Sequence, residues 1–273
     1  MKPATSRLLR LLLLGGFLLF TCYPLLWMFL CACRMEGDAQ ARPLALPAFW
    51  TLRNFAAVFS NSVFARAYAN SLLICTLSVA ATVVLASMAA FVFGILEFRG
   101  RKPLFLLFLL GMMIPVHVTL IPLNRMMGQF MLKGSLLSLA GPYIAFSLPV
   151  SILILKNAFS EIPRALIDAA RVDGCSPLEI LLHVALPAVR PALATVVIFD
   201  FLTLWNEFAF ALTLLGPGTR TLPLALNEFG GDHGVLLTQT CAALCLVVVP
   251  LVLVYIFAQR QIVSGLTAGA VKE

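Results

Sequence analysis

Six stretches of this chain are apolar for about 20 residues or more: 8–30, 67–94, 103–123, 135–155, 191–215 and 235–258. A run of that length crosses about 30 Å of hydrocarbon at 1.5 Å per residue. Lipid offers no partner to a backbone N–H or C=O, so each run is expected to be a helix. A barrel is excluded, because its strands alternate apolar and polar residues over about 10 positions. A soluble fold is excluded too. Of 273 residues, 61% are hydrophobic and 11% charged, against about 25% charged in soluble domains, which leaves too little polar surface to face water. The fold class is therefore all-α: a polytopic membrane protein of six transmembrane helices in a single domain, 1–273. Pro24, Pro115 and Pro149 fall inside runs and should bend them. Lys2, Arg7 and Arg10 stand at the start of the chain, around the beginning of the first run, as in a signal peptide. An apolar stretch of about 23 residues is too long for that, and it reads as a span.

Six spans put both termini on one side. The segments on that side hold twelve basic residues, including the tight group Arg99, Arg101 and Lys102, and the other side holds seven. Basic residues stay cytoplasmic, so both termini are expected inside. The net charge of +7 then reports topology and attraction to anionic lipid, not a nucleic-acid partner. The seven cysteines form no CxxC pair, so neither a disulfide framework nor a metal site is expected.

Two connections are long: 34–66 outside and 156–190 inside. The inner one is punctuated. Ser160-Glu161-Ile162-Pro163 starts a helix, and Asp173-Gly174 stops it. Ser176-Pro177-Leu178-Glu179 is a capping box that starts another. Leu178, Leu181, Leu182, Ala185 and Leu186 then fall on one helical face, and Leu186-Pro187 ends it. The first of these helices offers Ala165, Ala169 and Ala170, ringed by Arg164, Asp168 and Arg171. Two readings stand: an interfacial helix resting on lipid, or a docking surface for a cytoplasmic partner.

Asp168-Ala169-Ala170, then Asp173-Gly174, then Leu186-Pro187 resemble the EAA loop of the membrane subunits of binding-protein-dependent ABC importers. Three further segments agree. Glu97-Phe98-Arg99-Gly100-Arg101-Lys102 is similar to the basic loop after the second span, and Trp205-Asn206-Glu207-Phe208 to a motif of the fifth. Gln259-Arg260 with Gly265 to Lys272 is similar to the tail of the carbohydrate-uptake branch. Within that branch the chain resembles the six-span subunit of maltose-type importers. It departs in carrying Asp168 where the family usually has Glu, and Cys175 where a small Ala is common.

The resemblance implies a type I ABC importer permease fold, in which Asp168, Ala169, Ala170, Asp173, Gly174, Leu186 and Pro187 form the ATPase-coupling surface within 160–187. It implies four kinds of neighbour: a second permease subunit, two ATP-binding subunits, an extracytoplasmic sugar-binding protein and the lipid of a bacterial or archaeal inner membrane. The chain has no G-x-x-x-x-G-K-[ST], which fits a transport subunit that binds no cofactor itself, with ATP and Mg on the partner ATPase.

An acid in a span is costly and marks function by default. Asp200 and Glu207, seven residues apart in the fifth run with Asn206 beside them, should share a face. They line a sugar pathway, or they hydrogen-bond between helices. His117, His183 and His233 lie in separate segments and no catalytic motif occurs, so no enzyme is expected. The alternative is a self-contained ion-coupled secondary transporter, which the lack of an inverted repeat disfavours.

Overall fold

The computed structural model describes residues 3–229 and 236–270. His233, Val271 and Lys272 lie outside the described residues. The chain runs as α1 (Pro3–Ala32), α2 (Glu36–Ala41), α3 (Arg53–Ser60), α4 (Ser62–Gly94), α5 (Arg101–Leu110), α6 (Val116–Gln129), α7 (Ala140–Ser160) and α8 (Arg164–Val172). There follow α9 (Pro177–Ala188, π-helical over Ile180–Ala185), α10 (Arg190–Trp205), α11 (Ala209–Leu214), α12 (Leu222–Phe229) and α13 (Leu237–Ala270). Among the described residues there is no strand, only a bridge between Gly134 and Leu215.

Among the described residues, four segments are long and apolar enough to cross a membrane unbroken: Leu9–Ala32, Ser62–Gly94, Leu136–Ser160 and Leu237–Phe257. The other two expected spans are interrupted. The third breaks between Arg101–Met113 and Val116–Gln129 at an angle of 94°. Pro115 lacks an N–H and pushes Ile114 into an extended conformation (φ −80, ψ 114). The helix runs unbroken through Pro24 and Pro149. The fifth stops at Trp205 and resumes at Ala209. Its 16 residues amount to about 24 Å.

Contacts within the chain define two compact units, Met1–Ala65 with Ala225–Pro250, and Arg66–Leu224 with Leu251–Glu273. In the first, α1 presents Leu11 to Leu14, Phe17 and Phe20 outward, as lipid contact requires. Its end is held by polar groups. Asn54 of α3 donates from Nδ2 to the carbonyls of Ala32 (2.8 Å) and Arg34 (2.7 Å). The Glu36 carboxylate accepts from the backbone N–H groups of Leu237 (3.3 Å) and Thr238 (3.0 Å) and from the Thr238 hydroxyl (2.8 Å). It thereby satisfies orphan donors at the start of α13.

Burial opposes ionisation of Glu36, but the bonds from Thr238, Gln40 and Leu237 outweigh it and hold the carboxyl below its ordinary 4.5. A lowered folded-state pKa contributes stability above the ordinary carboxylate range and loses it as pH falls through the folded value. Glu36→Gln removes the negative charge at the start of α13 and should lower the melting temperature at pH 7 by an amount worth about 0.3–1 kcal/mol. Wild type should approach the variant as the pH drops below 4.5. Melting curves in detergent across pH check this, and a gap that stays constant to pH 3 would refute it.

In the second unit one apolar cluster joins five helices. It contains Ala90 and Phe91 of α4, Leu155 and Phe159 of α7, Ile167 and Ala170 of α8, Ile180 and Ala185 of α9, and Val196 of α10. This cluster positions the helices of the expected coupling loop.

Candidate functional site

The 160–187 loop folds as its punctuation dictates. Helix α8 closes in a Schellman motif: Gly174 adopts φ +82, its N–H donates to the Arg171 carbonyl (3.1 Å), and the Cys175 N–H donates to Ala170 (3.0 Å). Two residues later the capping box is complete. The Ser176 N–H donates to Glu179 Oε2 (2.7 Å), and the Glu179 N–H donates to Ser176 Oγ (3.4 Å).

Two sequence expectations about faces are corrected. Ala170 does not join an outward patch; with Ile167 it points into the apolar cluster, 8% and 5% exposed. The outward face of α8 is Ala165, Leu166, Asp168, Ala169 and Val172, with Asp168 Oδ1 accepting from Arg171 Nη1 (3.2 Å). In α9 the buried residues are Ile180, Leu181 and Ala185, whereas Leu178 and Leu182 are exposed. The π turn at Ile180–Ala185 widens the repeat and rotates the face away from the i, i+3, i+4 pattern. Asp173 and Pro187 are exposed, Leu186 is half-buried, and the chain bends by 83° between α9 and α10.

A cavity of about 830 Å³ opens beside α8. Gly94, Glu97, Arg101, Phe159, Ile167 and Asp168 are among the residues that line it. Arg164 Nη2 donates to Glu97 Oε1 (2.8 Å), and Arg101 Nη2 donates to the Gly94 carbonyl (3.1 Å).

The span acids do not share a face. Asp200 is buried in α10, with Oδ2 accepting from the Ser151 hydroxyl of α7 (2.8 Å) and Oδ1 meeting no hydrogen-bond partner. Glu207 lies past the end of α10, in the break before α11. Seven residues therefore do not amount to two helical turns. Its carboxylate accepts from the Tyr143 hydroxyl (2.9 Å) and from the N–H groups of Phe210 (2.7 Å) and Ala211 (3.2 Å). It thus ties α7 to the start of α11. Asn206 is exposed, and its Nδ2 donates to the Leu202 carbonyl (2.8 Å). Trp205 is buried, stacked on Phe201 (centroids 5.5 Å apart) and edge-on to Tyr68 (5.8 Å).

Sequence reasoning missed Tyr143, Ser151 and the Glu97–Arg164 pair. Hydroxyls inside apolar runs were the available signal for the first two. Nothing in the spacing linked residues 97 and 164. Two polar residues of α4 bond to a distant segment: Asn70 Nδ2 donates to the Arg220 carbonyl (3.0 Å), and Ser71 Oγ accepts from the Leu222 N–H (2.7 Å).

Long apolar spans with two short helices set between them define a class, an integral membrane protein. The chain belongs to the family described as binding-protein-dependent transport system inner membrane component, whose model matches residues 82–267. It is 38% identical to an ABC transporter permease protein of Caldicellulosiruptor sp. (strain Rt8B.4), over 91% of each chain. It is 31% identical to the sulfoquinovosyl glycerol transport system permease protein of Agrobacterium fabrum, covering 99% of this chain and 94% of that one. An arabinooligosaccharides transport system permease protein of Halalkalibacterium halodurans is 31% identical over 100% of both chains.

The fold matches a crystal structure of a bacterial ABC transporter involved in the import of the acidic polysaccharide alginate. The TM-score is 0.84 over 94% of this chain and 96% of that one, at 23% identity. The protein is thus a multi-pass inner-membrane permease subunit of an ABC importer. It is a transport component and not an enzyme, and the ATPase is a separate subunit. The ion-coupled alternative falls with that assignment.

Proposed function

We propose that this permease imports a carbohydrate or related polyol, and that α8 and α9 dock the ATP-hydrolysing subunit through Asp168, Ala169, Asp173, Gly174, Leu186 and Pro187, with Ala170 anchoring α8 from behind. The observation that carries the docking is the outward face of α8: Ala165 and Ala169 leave room for another backbone, Asp168 supplies a charge, and Leu166 and Val172 are 52% and 88% exposed. Two open apolar side chains beside small residues and a charge support a partner surface there. The substrate class rests on relatives named for sulfoquinovosyl glycerol and arabinooligosaccharide transport.

The remaining parts follow from that reading. A second permease completes the pathway, two ATP-binding subunits hold ATP and Mg while this chain binds no cofactor, and an extracytoplasmic binding protein delivers the substrate. Both termini are cytoplasmic, on the twelve-to-seven division of basic residues. Purifying the tagged chain in mild detergent tests the whole assembly. A Walker-type ATPase and a second permease should co-purify, and a chain that emerges alone and transports alone would sink the reading.

Asn206, Glu207 and Asp200 are the pathway candidates. Asn206 is the exposed one of the three, which supports it as a contact for a hydroxylated substrate. Glu207 accepts three hydrogen bonds and Asp200 one. Glu207→Gln loses an acceptor where two backbone donors converge, which costs about 1–3 kcal/mol. Asp200→Asn keeps an oxygen for Ser151. The melting temperature should therefore fall further for Glu207→Gln, and equal melting temperatures in the two variants would refute this ordering.

A further inference from the structure

We infer that the Glu97–Arg164 ion pair is a positioning latch that makes α4 move with α8 when the ATPase displaces it. The inference rests on the docking reading given above. Its starting point is a local inconsistency. Arg164 is the first residue of α8, where the positive end of the helix dipole disfavours a cation. Helix α8 has no acid in its first turn, and its N-cap, Pro163, makes no side-chain cap bond. An arginine there weakens the helix start unless something outside the helix offsets it. Glu97, 67 residues away in sequence, meets it at 2.8 Å.

Backbone bonds tie both ends of α8 to the adjoining turns, and the N-terminal end has in addition a charged link to the end of α4. The C-terminal end is tied by backbone bonds into the turn before α9. Between the ends, Ile167 and Ala170 rest on the apolar cluster, and apolar contact is non-directional. At the N-terminal end backbone bonds also close the short turn from α7 (Ile162 N–H to Phe159, 3.2 Å; Leu166 N–H to Pro163, 3.0 Å), and the side-chain bond from Arg164 to Glu97, three residues beyond the end of α4, reaches across to that helix. That segment is itself fixed: Arg101 donates to the last carbonyl of α4, at Gly94, and Gly94 abuts Phe159 and Lys156 of α7. A displacement at the start of α8 thus has a charged link to α4, a helix long enough to span the membrane.

The pair is exposed, Arg164 at 85% and Glu97 at 69% of the side chain, so its contribution to stability is small. Breaking it should leave the subunit folded and change what it transmits.

The test uses the complex purified through a tag on this chain, with hydrogen exchange followed by mass spectrometry, with and without ATP, Mg²⁺ and vanadate. In wild type the nucleotide should change exchange in both 164–172 and 94–101. In Glu97→Arg, and separately in Arg164→Glu, the response of 164–172 should persist while that of 94–101 shrinks about five-fold or more. The double variant restores opposite charges and should restore the response of 94–101. A merely structural pair would not show that rescue. Full response of 94–101 in either single variant, or no recovery in the double variant, overturns the latch. No nucleotide effect on 164–172 in wild type overturns the docking reading itself, and the latch with it.

Discussion

A complex carrying Gly174→Pro should lose its ATPase subunit on purification while the permease remains in the membrane at wild-type level. Gly174 sits at φ +82, which proline, fixed near −65°, cannot adopt. The substitution also removes the N–H that donates to Arg171. The two effects together cost about 3 kcal/mol or more, and they fall where α8 turns toward α9. No atom lies within 4 Å of a Cβ built at this glycine, so crowding is not the issue; the cost is in the backbone. That separates two controls. Gly174→Asn tolerates the left-handed conformation and should retain most of the ATPase. Gly174→Val carries a β-branched side chain into that region, costs about 1–2 kcal/mol, and should lose about ten-fold. Equal ATPase recovery across the series would mean that the α8–α9 geometry has no part in docking.

The same residues show what a one-dimensional reading can reach. Asp173-Gly174 and Ser176-Pro177-Leu178-Glu179 carry their geometry locally: a Schellman motif and a capping box each close within a few residues, and both are present in the structure. Long apolar runs were equally legible, because crossing lipid depends on length and composition. The failures share a cause. Ala170 looked like a surface alanine because no local rule says which side of a nine-residue helix meets the core. The face of α9 rotated because a π turn changes the period on which the pattern depends. Asp200 and Glu207 looked coaxial because nothing in Trp205-Asn206-Glu207-Phe208 announces a break; the break is held by Tyr143, 64 residues away. Charge partners across the fold, such as Glu97 and Arg164, leave no trace in spacing at all.

Gly94→Ala is the second variant expected to have a large effect, and its reason is steric. A Cβ at position 94 would lie 2.8 Å from Phe159 Cβ and 3.2 Å from the Lys156 carbonyl oxygen. Neither is the free end of a flexible side chain: one is fixed to the backbone of α7 and the other belongs to it. Relief therefore requires α4 and α7 to separate where they meet, the site from which Phe91 and Phe159 pack edge-on at 6.1 Å. Overpacking of this kind costs about 1–3 kcal/mol. In most helices Gly→Ala is favourable by about 0.5–1 kcal/mol, so the sign of the effect discriminates. Gly128→Ala, in α6 with no atom within 4 Å of the added Cβ, should raise the melting temperature slightly or leave it unchanged. Gly94→Ala should lower it, and Gly94→Val should lower it further. The loss should also appear in transmission, because the carbonyl of Gly94 receives Arg101 and the segment after it carries Glu97 to Arg164. Pushing α4 away from α7 moves both. A Gly94→Ala subunit with wild-type melting would show that the close approach of α4 and α7 carries none of this load.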